Sequence, residues 1–187
     1  MSSAFFYGTL MHPKILQRVI GNDGAHLQIC PAVLLQYTRH CVKDADYPGI
    51  LPYSSSRAFF SHDISREECS VRGTLVTGLT AADLAYLDLF EGSEYTREQA
   101  SVHPLSSLLP LSEYSIPEAV TPLPADSDLS PIVEVETYVY KDISGLIGDI
   151  WDFDDFVRTN AWKWYGNGAR QNPDFTEVDR RQAASRG

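Results

Sequence analysis

Residues 132–140, Ile-Val-Glu-Val-Glu-Thr-Tyr-Val-Tyr, carry the clearest strand signal in this chain, because β-branched and aromatic side chains fit a pleated, half-buried surface. Pro131 introduces the run, and its two glutamates alternate with apolar residues, so one face of the strand is expected to be wet. The chain is therefore committed to a sheet, and its other segments are read by what they add to one. Residues 4–7 are a short apolar run that stops at Gly8, a strand entering a turn. Residues 27–37 read as a strand or strand pair around Pro31, 71–77 as a strand, and 97–103 weakly as another.

Three helices are predicted. Pro13 opens one in which Ile15, Leu16, Val19 and Ile20 share a face before Gly21 ends it. Thr80 is a plausible N-cap for a second over about 81–90, with Leu84, Leu87 and Leu89 partly inward. A third is expected around 152–165, where Phe153, Phe156, Val157 and the Trp162/Trp164 pair pack over the core. Asp46-Tyr47-Pro48-Gly49 reads as a turn, the proline pre-setting φ and the glycine accepting a positive one. Residues 104–131 stand apart, with six of the eleven prolines and little periodicity, either a mobile insertion or a lid or partner surface. The expected organisation is a single domain over 1–170 carrying that insertion, with a peripheral tail at 171–187.

Charge and cysteine usage narrow the function classes. With 15 basic against 25 acidic residues the formal net charge is −10, which disfavours nucleic-acid binding. No run of about 18 apolar residues occurs to cross a membrane, and the N-terminus lacks the pattern of a signal peptide. Cys30, Cys41 and Cys69 form no paired motif, and the five histidines are scattered. A cytoplasmic protein with reduced thiols and no metal is the expectation.

Two short motifs carry chemistry. In Phe6-Tyr7-Gly8-Thr9-Leu10, successive backbone N–H groups of a glycine turn can line one concavity and bind a carboxylate or phosphate, glycine allowing the ligand close approach. In Leu87-Asp88-Leu89-Phe90-Glu91-Gly92 a helix ends in an acid, where the dipole and a neighbouring phenylalanine would raise the carboxyl pKa toward the range useful for proton transfer. A surface glutamate before a capping glycine is the alternative. Tyr7 and Tyr95 read either as pocket walls or as buried structural tyrosines, and Tyr138 and Tyr140 share one face of their strand. Arg97 reads as an ion-pair partner, Asp88 as a solvated or capping residue, and Met11 and His12 as shapers of selectivity or exposed loop positions.

Taken in order, Tyr7-Gly8-Thr9-Leu10, Tyr47-Pro48-Gly49-Ile50, Gly73-Thr74-Leu75-Val76, Leu87-Asp88-x-x-Glu91-Gly92-x-x-Tyr95-x-Arg97 and Tyr138-Val139-Tyr140 resemble the AIG2-like branch of the γ-glutamylcyclotransferase superfamily. The similarity covers about residues 4–103 and 132–141, and the Tyr-Gly-Thr-Leu turn is closest to the γ-glutamylamine and AIG2-like members. The resemblance implies an α+β fold, a small mixed β-barrel with flanking helices. It also implies release of 5-oxoproline from a small γ-glutamyl amine or peptide, with no metal or organic cofactor. Carried over by residue, it makes Glu91 the acid–base group and gives substrate polar groups to the amides of Gly8, Thr9 and Leu10, with Tyr7, Tyr95 and Tyr138 beside them. A different acid–base reaction on a metabolite, or a non-catalytic binding protein, are the alternatives, since fold alone does not fix function.

Overall fold

The computed structural model describes residues 1–117, 121–165, 180 and 183. In chain order the elements are β1 (Ser2–Phe6), α1 (Pro13–Ile20), β2 (Gln28–Leu35), β3 (Tyr37–Val42), β4 (Pro48–Pro52), α2 (Tyr53–Ser56) and β5 (Ser70–Leu79). Then come α3 (Ala81–Glu91), β6 (Tyr95–Pro104), β7 (Leu109–Pro110), β8 (Val133–Tyr140), β9 (Leu146–Ile150) and α4 (Phe153–Thr159). Five strands run in the order β5-β1-β8-β6-β2, and β2 pairs back onto β5, so the sheet closes into a barrel. Full closure leaves none of these five strands as an open edge. The β1–β8 pairing is parallel (Ala4 with Glu136, Phe5 with Thr137), while β5, β6 and β2 join antiparallel. A second sheet, β4-β3-β9, lies against the barrel.

Alternation along the strands sorts side chains to the two faces of the wall. Phe5, Cys30, Ala32, Leu34, Val71, Leu75, Ala100, Val102, Val135 and Val139 form the inner cluster. Ala4, Phe6, Ile29 and Val76 face outward into a larger cluster with α1, α3 and α4. A five-stranded barrel is narrow, and small residues make room for its aromatic filling. At Gly73 a Cβ would stand 2.2 Å from the Phe6 carbonyl oxygen and 2.5 Å from Cζ of Phe5.

The expected helices at Pro13 and Thr80 form. All four apolar residues of α1 are buried and Gly21 closes it at φ 72°. Thr80 and Asp83 make a reciprocal capping box at the start of α3. Segment 27–37 is one barrel strand with Pro31 inside it, followed by the start of β3. On β8 the outer face is wet only at first: Glu134 is exposed, but Tyr138 and Tyr140, on the same face, are 4% and 6% exposed.

Several expectations are corrected. Pro48 and Gly49 open a strand, and Gly49 is absent from the glycines with positive φ. A glycine is needed there because a Cβ would lie 2.7 Å from Cβ of Tyr140. The last helix stops at Thr159, after which Asn160 leaves the helical region and a 3-10 turn follows (Ala161–Lys163). Trp164 is buried, whereas Trp162 is 57% exposed, so the two do not pack as a pair. Within 104–131, Leu105 N–H donates to Pro31, Leu111 N–H to Leu27, and the Leu111 side chain is buried against the space at Gly24, while most of the described residues from 121 on are exposed. Residues 118–120 of that segment and, save Arg180 and Ala183, the tail 171–187 lie outside the described residues.

Because the atoms facing Gly73 include backbone, Gly73→Ala is expected to cost about 3 kcal/mol or more, the range for overpacking a core that cannot yield. Urea unfolding of the two proteins measures it, and a loss below about 0.5 kcal/mol, the size of an ordinary surface change, would contradict this packing.

Candidate active site

The C-terminal end of β1 emerges from the barrel at Tyr7 and Gly8, and the chain turns at once into a short 3-10 segment (Thr9–Met11) that leads into α1. The N–H of Met11 donates to Gly8 and that of His12 to Thr9, as the turn requires. The first N–H groups of any helix have no partner within it. Among the described residues nothing accepts from the amides of Gly8, Thr9 or Leu10. The side chain of Leu10 goes to the core and Thr9 is buried, so this turn offers backbone to the cavity beside it. Gly8 has φ −123°, which any residue can adopt; it is glycine because a Cβ would sit 2.9 Å from the Pro48 ring.

That cavity, about 350 Å³, is lined by Phe5 to Leu10, Tyr47, Pro48, Phe90 to Tyr95, Tyr138 and Trp164. The volume suits a small metabolite. All the residues singled out from the sequence, Glu91, Tyr7, Gly8, Thr9, Leu10, Tyr95 and Tyr138, line this one space. Tyr140 does not, and neither does any described residue of 104–131. Among the described residues its acidic lining is Glu91 and Glu94, and no lysine, arginine or histidine lines it.

Glu91 is the last residue of α3. Gly92 follows at φ 66°, a left-handed value that lets the chain reverse from the helix into β6. The carboxyl is half-buried, and no described residue hydrogen-bonds to it. Burial first, then the charges of Asp88 and Glu94, push its pKa up to about 8. Desolvation and like charge both oppose ionisation, so the group keeps its proton far above the ordinary carboxylate range.

The tyrosines are fixed walls. Tyr7, its ring inside the barrel, donates its hydroxyl to the Tyr138 carbonyl at 2.5 Å, and the Ile50 amide hydrogen-bonds its oxygen. Tyr95 donates to the Pro48 carbonyl at 2.8 Å, and Tyr138 to Oδ1 of Asp88 at 2.8 Å. Burial is the first cause holding all three phenols well above their usual pKa, and the nearby Glu91 charge adds to it. Asp88 is exposed, as expected of a solvated residue, but it is also engaged: it accepts from the Tyr138 hydroxyl and pairs with Nε of Arg97 at 3.1 Å, while Arg97 reaches Glu136 at 2.9 Å. Arg97 is the expected ion-pair partner. His12 caps α1, accepting from the Lys14 N–H, and stacks on Tyr165 at 4.8 Å.

Sequence reasoning passed over Arg39. From β3 its Nη1 donates to the carbonyls of Tyr7 at 2.8 Å and Arg72 at 3.1 Å, behind the turn. Trp164, Phe90 and Tyr47 were also not named as walls, yet they line the cavity. Among the described residues no cluster of three or more His, Cys, Asp or Glu is placed to hold a metal, and no helix is long and apolar enough to cross a membrane.

A narrow mixed barrel with flanking helices thus carries a cavity that joins an uncapped backbone turn to a carboxyl whose pKa is pushed up to about 8. Residues 4–146 match the family described as gamma-glutamyl cyclotransferase, AIG2-like, and the chain belongs to that family. Among curated proteins it is similar to Protein AIG2 C of Arabidopsis thaliana, 27% identical over 87% of this chain and 76% of the relative. Among solved structures it resembles an Arabidopsis thaliana protein determined in solution, with TM-score 0.52 and 24% identity, covering 97% of this chain and 81% of that one. A gamma-glutamyl cyclotransferase specific to glutathione from yeast shares the fold at TM-score 0.52 and 13% identity, over 97% of this chain and 86% of that one.

The raised Glu91 pKa has a consequence for stability with a definite sign. The folded protein binds a proton that the unfolded chain gives up, so Glu91 destabilises the fold progressively as pH rises from its unfolded value of 4.5 toward about 8. Glu91→Gln removes that cost. It is expected to match wild type in urea unfolding at pH 4 and to exceed it by about 2 kcal/mol at pH 9, allowing for water at the cavity mouth. Equal stability at both pH values would mean that Glu91 titrates normally.

Proposed function

We propose that this protein is a cofactor-independent cyclotransferase that releases 5-oxoproline from a small γ-glutamyl amine or peptide. The observation that carries the reading is the meeting, in one cavity of about 350 Å³, of the unpartnered Gly8, Thr9 and Leu10 amides with a carboxyl poised near pH 8. Family membership supports the same reaction class. Such a substrate contains both its nucleophile, the α-amine, and its electrophile, the γ-carbonyl. Closure to a five-membered ring is intramolecular, so folding the substrate and moving protons is most of the work.

The turn amides hold the α-carboxylate. The α-ammonium then lies against Glu91, whose carboxylate form is stabilised by that positive charge, and gives it one proton. The freed lone pair attacks the carbonyl carbon of the γ-amide, the carbonyl becomes a tetrahedral oxyanion, and collapse breaks the bond to the γ-amide nitrogen. Glu91 returns its proton to that nitrogen, and the ring nitrogen sheds its own extra proton, which the departing amine takes up as it reaches water. Tyr7, Tyr95 and Tyr138 serve as rigid walls, since their hydroxyl protons are already committed.

The lining also bears on the leaving group. Glu94 in the lining, with no basic residue there among those described, disfavours a leaving group that carries a carboxylate, as the glutathione of the yeast relative does. Aromatic walls from Tyr47, Phe90 and Trp164 favour an apolar or cationic amine.

Incubation with a panel of γ-glutamyl amides, with 5-oxoproline as the measured product, tests the reading. Wild type is expected to be active, and Glu91→Gln to lose about 10²–10⁴-fold in kcat with KM changed little, the usual contribution of a positioned acid–base group. The pH profile of kcat/KM should rise with its midpoint near 8, where the free carboxyl ionises, and the limb in kcat should lie lower because the bound ammonium favours the carboxylate. Undiminished activity in Glu91→Gln would remove the assignment.

A further inference from the structure

Arg39 is a half-buried cation that the chemistry above does not use. Its guanidinium donates to two backbone carbonyls, those of Tyr7 and Arg72, and the Trp151 ring covers it with the guanidinium carbon 5.1 Å from the ring centroid. No described carboxylate forms an ion pair with it. Burial pushes it down to about 10, and the more distant Asp152 and Asp154 oppose that only in part. A half-buried charge held by carbonyl dipoles alone, with no described counter-charge in contact, keeps a net positive field where it sits.

The Tyr7–Gly8 peptide bond translates that position into the cavity. No peptide bond in the described chain is cis, and in a trans peptide the carbonyl and the N–H point opposite ways. Drawing the Tyr7 carbonyl toward Arg39 therefore aims the Gly8 N–H away from the guanidinium. Gly8 lines the cavity and Arg39 does not. We propose that Arg39 is the positioning residue for the substrate's carboxylate: from behind the turn it sets the Tyr7–Gly8 peptide with its N–H toward the cavity and supplies a positive charge that no described lining residue provides.

The placement has a chemical reason. A lysine or arginine inside the cavity would pair with Glu91 or Glu94 and drag the Glu91 carboxyl back toward ordinary values. A cation separated from the cavity by one peptide plane acts on a carboxylate held against the turn, yet leaves Glu91 unpaired. The ligand's identity rests on the cyclotransferase reading; the turn's preference for an anion does not.

The test compares two probes, 5-oxoproline and its carboxamide, which differ in one charge at the group the turn is assigned to hold. Dissociation constants are measured by calorimetry for wild type, Arg39→Gln and Arg39→Lys, alongside thermal unfolding of each. Wild type is expected to prefer the carboxylate. In Arg39→Gln that preference should fall about thirtyfold, the scale of one charge acting at an intermediate effective dielectric, with carboxamide affinity held within about twofold. Arg39→Lys should restore part of it. With γ-glutamyl amides the same loss should fall on KM and spare kcat. No preference in wild type, an equal loss for both probes, or a preference intact in Arg39→Gln each overturns the proposal. A wild type that prefers the carboxylate but forms no 5-oxoproline from γ-glutamyl amides overturns the cyclotransferase reading and leaves Arg39's role standing.

Discussion

The closing pair of the barrel, β2 against β5 from Gln28–Thr77 to Leu35–Ser70, is the constraint on which the rest depends. With the sheet closed, β1 is flanked by β5 on one side and β8 on the other, and its last residues have no freedom to shift. A one-residue slip would turn Phe5 out of the barrel and Phe6 into it, so the interior filling fixes the register. The Gly8 turn inherits that rigidity. Backbone amides bind an anion well only when they are already in place, since ordering them on binding would cost free energy.

The second sheet completes the clamp. On β4, Pro48 sets its ring against Gly8, its carbonyl receives the Tyr95 hydroxyl, and the Ile50 amide meets the Tyr7 oxygen. On β3, Arg39 holds the Tyr7 carbonyl. The Tyr47-Pro48-Gly49-Ile50 block is therefore the buttress of the Tyr7-Gly8-Thr9-Leu10 turn, though some forty positions separate them. With the hydroxyl protons of Tyr7, Tyr95 and Tyr138 bound elsewhere, Glu91 is the lining group left to exchange protons near neutral pH.

Local rules made much of this legible. The helix at Pro13 and the one at Thr80 announce themselves through caps and periodicity, and Ile132 to Tyr140 announces a strand through composition. The convergence of Tyr7–Leu10 with Glu91, Tyr95 and Tyr138 was legible only as a resemblance, because no local rule relates segments more than eighty positions apart. Arg39 was invisible for a related reason. It sits in Tyr-Thr-Arg-His, one polar residue among others, and its importance lies in carbonyls reached from β1 and β5. Gly8 reads as a glycine that admits a ligand and Gly49 as a conformational one, whereas both answer to close packing by a distant ring, which sequence spacing does not encode.

The end of α3 shows which physical effect wins at Glu91. The unfavourable dipole at a helix C-terminus is worth about 0.3–1 kcal/mol in most settings. A rise from 4.5 to about 8 corresponds to several kcal/mol of preference for the protonated form, and burial with Asp88 and Glu94 accounts for it. The helix terminus matters instead as placement. Stopping the helix at Glu91 and turning through Gly92 keeps the carboxyl at the cavity and returns the chain as β6, so that Tyr95 comes back to the same space four residues on. Asp88, one turn earlier, raises Glu91 by its charge, while its own carboxylate accepts from the Tyr138 hydroxyl and pairs with Arg97. Two acids a helical turn apart are thereby given opposite surroundings. One is held by an arginine and a hydroxyl, and the other faces the cavity with no described hydrogen-bond partner.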